Sequence, residues 1–298
     1  MDIKLPNSGV FVVAVSGGVD SMALLHMLLA KKQTAEHPFI IIVAHLDHGI
    51  RSDSAEDRKL VQEVAKSYGV PFVYDEVALG EGANEQQARK VRYEFLYKVK
   101  QNSAADAIVT AHHGDDLLET AIINISRGTG RKGLTSLQNT NEVIRPLLKL
   151  SKKDLHNYAI AHDLKWREDS TNFDTKYRRN HIRHNVLSKL DNKTKNELKQ
   201  LINRTSIANN QIDEILESML EQHSNDNQLN RHWLISLPHN VGLEIIATWL
   251  RQNDYRDFDR KTLERLLVAA KVSQKGNKIE VIKNAKMLVH KDSLELVK

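Results

Sequence analysis

Six consecutive apolar residues, Val10 to Val15, run into Ser16-Gly17-Gly18-Val19-Asp20-Ser21 and then into Met22, Leu24, Leu25, Met27, Leu28 and Leu29 at helical spacing. A strand without polar alternation must be covered on both faces, which points to a parallel sheet with helices above and below. The same order recurs along the chain. Phe39 to Leu46 reads as a second strand, and the helix expected from about Ser54 to Tyr68 opens with Ser-Ala-Glu-Asp and ends at Gly69. Val70 to Tyr74 reads as a strand, 84–102 as a helix, Ala107 to Ala111 as a strand and Asp116 to Ile125 as a helix. Strands alternating with helices imply right-handed crossovers, so the fold class expected for the first ~150 residues is α/β with a doubly wound parallel sheet.

Ile144 to Leu148 is expected to close that sheet, with helices at Lys152 to His162 and Asn180 to Leu190. A long polar helix, Lys193 to Glu221, should bridge to the rest, and 223–230, rich in Asn, Gln and Ser, reads as a linker. Trp233 to Lys298 suggests a small α+β module ending in a hairpin-like stretch, Lys278 to Val297. The division expected is 1–190, a helical linker over 191–230, and a small C-terminal domain over 231–298. Cysteine is absent, which excludes disulfides, thiolate zinc, iron–sulfur clusters and thiol catalysis. The longest apolar runs fall far short of the ~18 residues of a spanning helix. The start does not read as a signal peptide, so a cytoplasmic chain with no membrane association is expected.

Two glycines and two seryl hydroxyls between a buried strand and a helix form an anion cradle. Backbone N–H groups and the helix dipole favour phosphate there, and the glycines allow close approach. No Gly-Lys-Ser/Thr follows, so the turn is not of the Walker type. Asp20 stands instead where that loop has a lysine, and a carboxylate beside phosphates implies an intervening Mg²⁺. A plain structural reading, a tight turn with cap residues, competes with it. Asp116 and Glu119 share a helix face and can hold Mg²⁺ or an incoming ammonium, against a structural reading of dipole pairing with Asp115. Arg89 and Arg92 also share a face; Arg92 is the one expected to steady phosphate charge, and an ion pair with Glu85 or Glu94 is the competing reading.

A rival of another class uses His45, His48, His112, His113 and Asp115 as a binuclear metal centre of a phosphoesterase. A third, a nucleotide-binding module without catalysis, needs only the glycine turn. Between 176 and 204 the local charge excess is +7 against +5 for the whole chain, so basic character is concentrated where an RNA backbone could lie.

The Ser16–Ser21 string resembles the SGGxDS loop of the PP-loop ATP pyrophosphatases, of the adenine nucleotide alpha hydrolase-like fold, which split ATP between its α and β phosphates and adenylate a carbonyl-type oxygen. Members that move sulfur through cysteines do not fit a chain without cysteine. Further segments, in order, are similar to the tRNA(Ile)-lysidine synthetase family. Ala44-His45-Leu46-Asp47-His48-Gly49-Ile50-Arg51 resembles its element near the adenine, and Ala88-Arg89-Lys90-Val91-Arg92-Tyr93 its arginine helix. His112-His113-Gly114-Asp115-Asp116-Leu117-Leu118-Glu119-Thr120 resembles its acidic helix start, and Arg127-Gly128-Thr129-Gly130 the loop that follows. Glu168-Asp169-Ser170 and Arg178-Arg179-Asn180-His181-Ile182-Arg183 are similar to its RNA-side segment; a family proline is missing near Ser188.

That resemblance, over roughly 10–190, implies ATP and Mg²⁺ as cofactors, and an isoleucine tRNA with a CAU anticodon and free L-lysine as partners. It implies a PP-loop catalytic domain over 1–190 and a tRNA-binding role for 231–298; a homodimer is left open. Ser16, Gly17, Gly18, Val19, Asp20 and Ser21 would hold the departing pyrophosphate, with His45 and His48 near the nucleotide. Asp20 and Asp116 would bind metal, Arg92 and Arg183 would offset phosphate charge, and Asp116 with Glu119 would handle metal or lysine. Arg178, Arg179, Lys195 and Lys199 are the expected RNA contacts.

Overall fold

The opening apolar block forms β1 (Val10–Ala14), in which Phe11 and Val13 pack into one layer, Val12 packs into another, and all three are almost inaccessible to water. In this computed structural model, which describes residues 3–6, 8–34, 39–49, 54–80, 85–167, 178–256 and 258–297, β1 is the middle strand of five. The order is β3-β2-β1-β4-β5, with β2 at Ile40–Asp47, β3 at Phe72–Glu76, β4 at Ala107–Val109 and β5 at Val143–Ile144. Every pairing is parallel, and Val12 lies opposite Ile42 and Ile108. The intervening helices are α1 (Val19–Thr34), α2 (Ser54–Ser67) and α3 (Glu85–Asn102), followed by α4 (Gly114–Ile125), the short α5 (Arg131–Leu134) and α6 (Lys152–Ala161).

Leu24, Leu25 and Leu28 of α1, Val61 of α2 and Leu155 of α6 cover one face of the sheet, while Phe95, Leu96 and Val99 of α3 cover the other. The doubly wound α/β expectation therefore holds. Strand order reverses between β1 and β4, and in such sheets the crevice beyond the carboxyl ends at that reversal is where ligands bind. The loops leaving those two strand ends carry the glycine turn and His112-His113.

Three expectations need correction. The last strand is two residues long, where Ile144 to Leu148 was expected, because Pro146 lacks the N–H that a longer ladder requires. The Asn180–Leu190 helix is split into α7 (Arg178–Asn185) and a 3₁₀ turn at Leu187–Lys189. The stretch at 223–230 is a hairpin and not a linker.

That hairpin belongs to the second of two compact units, which span Met1–Thr205 and Ser206–Lys298; α8 (Asn192–His223) contributes residues to each. In the second unit β6 (Ser224–Asn225) and β7 (Gln228–Asn230) turn through Asp226, whose φ is +46°, and Asn227 Nδ2 donates to the Leu296 carbonyl at 2.8 Å. The polar side chains that suggested a linker thus serve turn geometry. α9 (Arg231–Ser236), α10 (His239–Gln252) and α11 (Arg260–Val272) pack with a sheet of order β6-β7-β10-β9-β8 around Trp249 and Met287, where β8 is Lys278–Ile282, β9 Ala285–Val289 and β10 Ser293–Val297. Among the described residues no helix is long and apolar enough to cross a membrane.

Gly114, the first residue of α4, donates its N–H to the Leu150 carbonyl at 2.7 Å. A Cβ there would lie 2.9 Å from the Leu148 carbonyl oxygen and 2.5 Å from Lys199 Nζ, so only glycine fits. Gly114→Ala should lower stability by about 1–3 kcal/mol through forced displacement of that backbone. The expected result is an earlier urea midpoint; an unchanged midpoint would show that the carbonyl yields freely.

Candidate active site

The glycine turn is tied by its own hydroxyls. Ser21 Oγ accepts from the Ser16 N–H at 3.1 Å and donates to the Gly18 carbonyl at 2.9 Å, while Ser16 Oγ accepts from the Gly18 N–H at 3.4 Å. Two amides that sequence reasoning left open toward a ligand are therefore held by serines. Gly17 has φ of +90°, which favours glycine, and a Cβ on it would lie 3.3 Å from Asp57 Cβ. From below, the Arg167 N–H donates to the Gly17 carbonyl at 3.0 Å, and the Arg167 side chain pairs with Asp57 at 2.8 Å and with Glu56.

Across the crevice, α4 begins with an unusual cap. His113, buried at 2% exposure, accepts on Nδ1 from the N–H groups of Asp115 (3.2 Å) and Asp116 (3.4 Å), and Asp116 Oδ2 accepts from the His113 N–H at 3.0 Å. Because Nδ1 accepts, the neutral ring carries its proton on Nε2. That nitrogen lies 3.4 Å from Asp116 Oδ2 and 3.7 Å from Asp20 Oδ2, so one N–H edge faces both carboxylates. Burial pushes the Asp20 carboxyl up from its ordinary value, opposed by His113 and Lys152. Asp20 Oδ1 is buried with no hydrogen-bond partner. Burial also works on Asp116, but His113, His112 and the amide bond outweigh it and hold that carboxyl below the usual range.

Glu119, one turn further on, is fully buried and receives two bonds from Arg183, Nε at 2.6 Å and Nη2 at 3.0 Å, and an ion pair from Arg179 at 3.2 Å. Burial raises the Glu119 carboxyl against these arginines. For Arg183 burial opposes the charge, yet Glu119, Asp116 and Asp20 together keep its guanidinium firmly protonated. Its Nη2 stands 3.8 Å from Asp116 Oδ1. Glu119, expected to meet metal or lysine, is here the anchor of two arginines.

A cavity of about 230 Å³ occupies the crevice, lined by Ser16, Gly18, Asp20 and Ser21 of the turn, by His48, Arg92, His112 and Asp116, and by Ala14, Ala44, Leu46, Tyr93, Phe95 and Leu96, among others. A polar end and an apolar wall thus meet at the strand reversal. His48 Nε2 accepts from Arg92 Nε at 3.4 Å and lies 3.3 Å from its Nη2; burial and that guanidinium bring His48 down to about 4. Burial brings His112 down to about 3, and its Nδ1 lies 2.8 Å from Thr110 Oγ1.

Several expected residues lie elsewhere. His45 does not line this cavity: it is buried at 3% exposure and donates Nδ1–H to the Val15 carbonyl at 2.9 Å, bracing the end of β1. Gly17 and Val19 also lie outside its lining and shape the turn. Lys199 was expected on an outward RNA face, but it is mostly covered and reaches Asp115 at 4.0 Å. Arg178 donates to Ser126 Oγ at 2.6 Å, Arg179 to Thr120 Oγ1 at 2.9 Å, and Lys195 is half-buried on α8. Ile50, Arg51, Glu168, Asp169, Ser170 and Lys176 lie outside the described residues.

The histidines expected by the phosphoesterase rival are engaged separately, and among the described residues no group of three or more acidic or histidine side chains converges as metal ligands. Sequence reasoning missed the cap and the brace. His113 three residues before Asp116 has the spacing of a capping box and could have signalled the cap, although histidine is not among the favoured cap residues. Arg167 gave no local signal.

Comparison with known proteins agrees with this geometry. A "tRNA(Ile)-lysidine synthase" of Thermotoga sp. (strain RQ2) is 34% identical over 221 residues, 71% of this chain and 53% of that protein. One from Thermosipho africanus is 40% identical over 183 residues, 59% of this chain and 42% of that protein. A third, from Francisella tularensis subsp. holarctica, is 29% identical over 291 residues, 94% of this chain and 71% of that protein. The chain thus spans about half the length of the first of these relatives. The U34-tRNA thiolase NcsA from Methanococcus maripaludis shares the fold, with a TM-score of 0.55 at 16% identity over 66% of this chain and 72% of that one. Residues 3–190 match the PP-loop domain family, the same stretch that holds the glycine turn, the crevice and the acidic helix start, and the chain belongs to that family.

Proposed function

We propose that this chain is the lysidine-forming catalytic part of an ATP-dependent tRNA ligase. The observation that carries the reading is the cavity at the strand reversal, where the glycine turn, Asp20, Arg92 and Asp116 share one space. In the first step the C2 oxygen of the wobble cytidine of a CAU-anticodon isoleucine tRNA attacks the α phosphorus of ATP. The bond to the bridging oxygen breaks and pyrophosphate leaves. In the second step the ε-nitrogen of free lysine bonds to C2, the C2–O bond breaks, AMP departs, and the amine gives up its protons.

The turn of residues 16–21 would receive the pyrophosphate, using backbone donors and the α1 dipole. Asp20 fits a Mg²⁺ ligand because one of its oxygens is buried and unpartnered, and Asp116 stands within reach of the same imidazole edge. Mg²⁺ on triphosphates takes one or two carboxylates beside phosphate oxygens, and it would supply charge neutralisation there. His113 holds both carboxylates in register, and Glu119 aims Arg183 at the Asp116 side of the crevice. Arg178, exposed on α7, and beside it the partly covered Arg179 are the RNA contacts in this reading. The lysine pocket, the cytoplasmic location, the role of Lys195 and any dimer belong to the same proposal.

The direct test supplies ATP, labelled lysine and an unmodified isoleucine tRNA transcript and scores label in RNA together with pyrophosphate release. Asp20→Asn should cut both readouts by about 10²–10³-fold while thermal unfolding stays near wild type. Near-wild-type incorporation would remove Asp20 from the mechanism, and pyrophosphate release without label in RNA would point to another acceptor.

The pair of His48 and Arg92 sets a pH dependence. A histidine with a depressed folded pKa takes up its proton more readily when unfolded, so the stability that it contributes is complete above the unfolded value of 6.5 and declines as pH falls toward about 4. Protonation also removes the acceptor that positions Arg92. The His48 ring resonances should therefore titrate near 4, with the Michaelis constant for ATP rising over the same range. A midpoint near 6.5 would show that neither burial nor the guanidinium acts on this ring as the structure implies.

A further inference from the structure

Arg89 and Arg92 stand one turn apart on α3 yet serve different spaces. Arg92 lines the crevice, whereas Arg89, lying over the Tyr93 ring at 4.9 Å, lines a second cavity of about 550 Å³. Its walls come from α3, from Thr120, Ile123 and Asn124 of α4, from Arg127 just after it, from Ser136 and Leu137 after α5, and from Arg179 of α7. Three guanidiniums and several neutral polar groups face this space, and no carboxylate is among its lining residues. Glu119, behind Arg179, pairs with Arg179 at 3.2 Å and with Arg183 at 2.6 Å, so Arg89 and Arg127 are the guanidiniums that it does not answer. Their positive charge reaches neighbouring groups: Arg89 works against the charge of buried Arg145, and Arg89 and Arg179 both work against protonation of His112.

The frame of the cavity is fixed without a ligand's help. Asn124 Nδ2 donates to the Gly133 carbonyl at 2.7 Å and to Ser136 Oγ at 2.9 Å, which ties the α5 loop to α4. An amine would meet three like charges here, and an apolar molecule would leave the guanidinium forks unmatched. The planar forks of Arg89 and Arg127, around a space with no carboxylate in its lining, match a phosphate oxyanion, while Arg179 is already paired with Glu119 and Thr120. The place is also coupled to the chemistry, since Arg179, Glu119, Arg183 and Asp116 form a line of ion pairs of 3.2, 2.6 and 3.8 Å leading back to the crevice.

We propose that this second cavity grips a backbone phosphate of the substrate RNA close to the nucleotide being modified, with Arg89 and Arg127 as its main ligands. The inference rests on the RNA-substrate reading above. It adds α3 and the loop at Arg127 to an RNA path that sequence reasoning placed at 176–204 and in the C-terminal domain over 231–298.

The test measures anisotropy of a labelled anticodon stem-loop of isoleucine tRNA across a KCl series with wild type, Arg127→Ala, Arg127→Lys and the Arg89→Ala/Arg127→Ala double variant. Each lost phosphate contact should reduce the slope of log affinity against log salt by about 0.7–0.9, with binding weakened uniformly across RNA sequences. Arg127→Lys should keep most of the slope, and affinity for Mg²⁺-ATP should stay within about twofold in every variant, since neither Arg89 nor Arg127 lines the crevice proposed for the nucleotide. An unchanged slope in the double variant, with wild type still incorporating lysine, overturns this proposal and leaves the functional reading standing. A parallel loss of ATP affinity overturns it too, because the cavity would then serve nucleotide phosphates. A wild type that neither binds the stem-loop nor incorporates lysine overturns both.

Discussion

Asp20 and Asp116 approach from two different loops and face the same Nε2–H edge of His113. Their carboxyls shift in opposite directions: burial pushes Asp20 up, with Asp116 adding to it, whereas for Asp116 the push of burial is outweighed by His113, His112 and the His113 N–H, which hold it down. The arrangement persists because His113 is locked from behind, its Nδ1 occupied by the first amides of α4. The imidazole cannot turn away without uncapping the helix. Negative charge is thereby concentrated where strand order reverses, beside the glycine turn that we propose receives phosphates, and a divalent cation is the species that would relieve both at once.

The next turn of α4 extends this charge balance outward. Glu119 is completely buried, and an unpaired carboxylate there would be costly; two arginines from α7 satisfy it, and one of them also approaches Asp116. The consequence is electrostatic continuity between the crevice and the basic α7 side. A phosphate arriving near Arg179 competes with Glu119 for that guanidinium, and a change in Glu119 pairing alters the field on Arg183 and Asp116. Under the function proposed above, a phosphate bound near Arg179 would be linked to the crevice through these four side chains.

What was legible in the sequence was whatever is encoded locally. Val10 to Val15 announced a strand buried on both faces, the glycine turn announced its conformation, and the three-residue spacing of Asp116 and Glu119 placed them on one face of a helix. Three things were hidden because they are made by distant parts of the chain. The bond of His45 to the Val15 carbonyl depends on β1 and β2 lying side by side, so a motif that suggested a ligand contact encodes a structural brace. Lys199 belonged to an apparent basic face but folds over the start of α4, where Gly114 leaves it room. The segment at 223–230 has the composition of a linker, and its register is decided by β10, which arrives more than sixty residues later to pair with Leu229. Composition reports solubility of side chains; pairing is a property of the partner.

The arginines of α3 show how helical spacing divides labour. Residues three apart share a face but differ by about a sixth of a turn, and with side chains as long as arginine that offset decides which hollow each enters. Tyr93 enforces the choice: its ring carries the Arg89 guanidinium on one side, and its body forms part of the crevice wall that Arg92 also lines. A helix that looked in sequence like one arginine site with a spare is a partition between two anion-compatible spaces. The same logic accounts for α4, whose first turn serves the crevice through Asp116 while Thr120, Ile123 and Asn124 line the second hollow. Under the function proposed above, two adjacent helices, each split lengthwise in this way, would bring two polyanions within reach of one reaction while keeping their phosphates in separate basic environments.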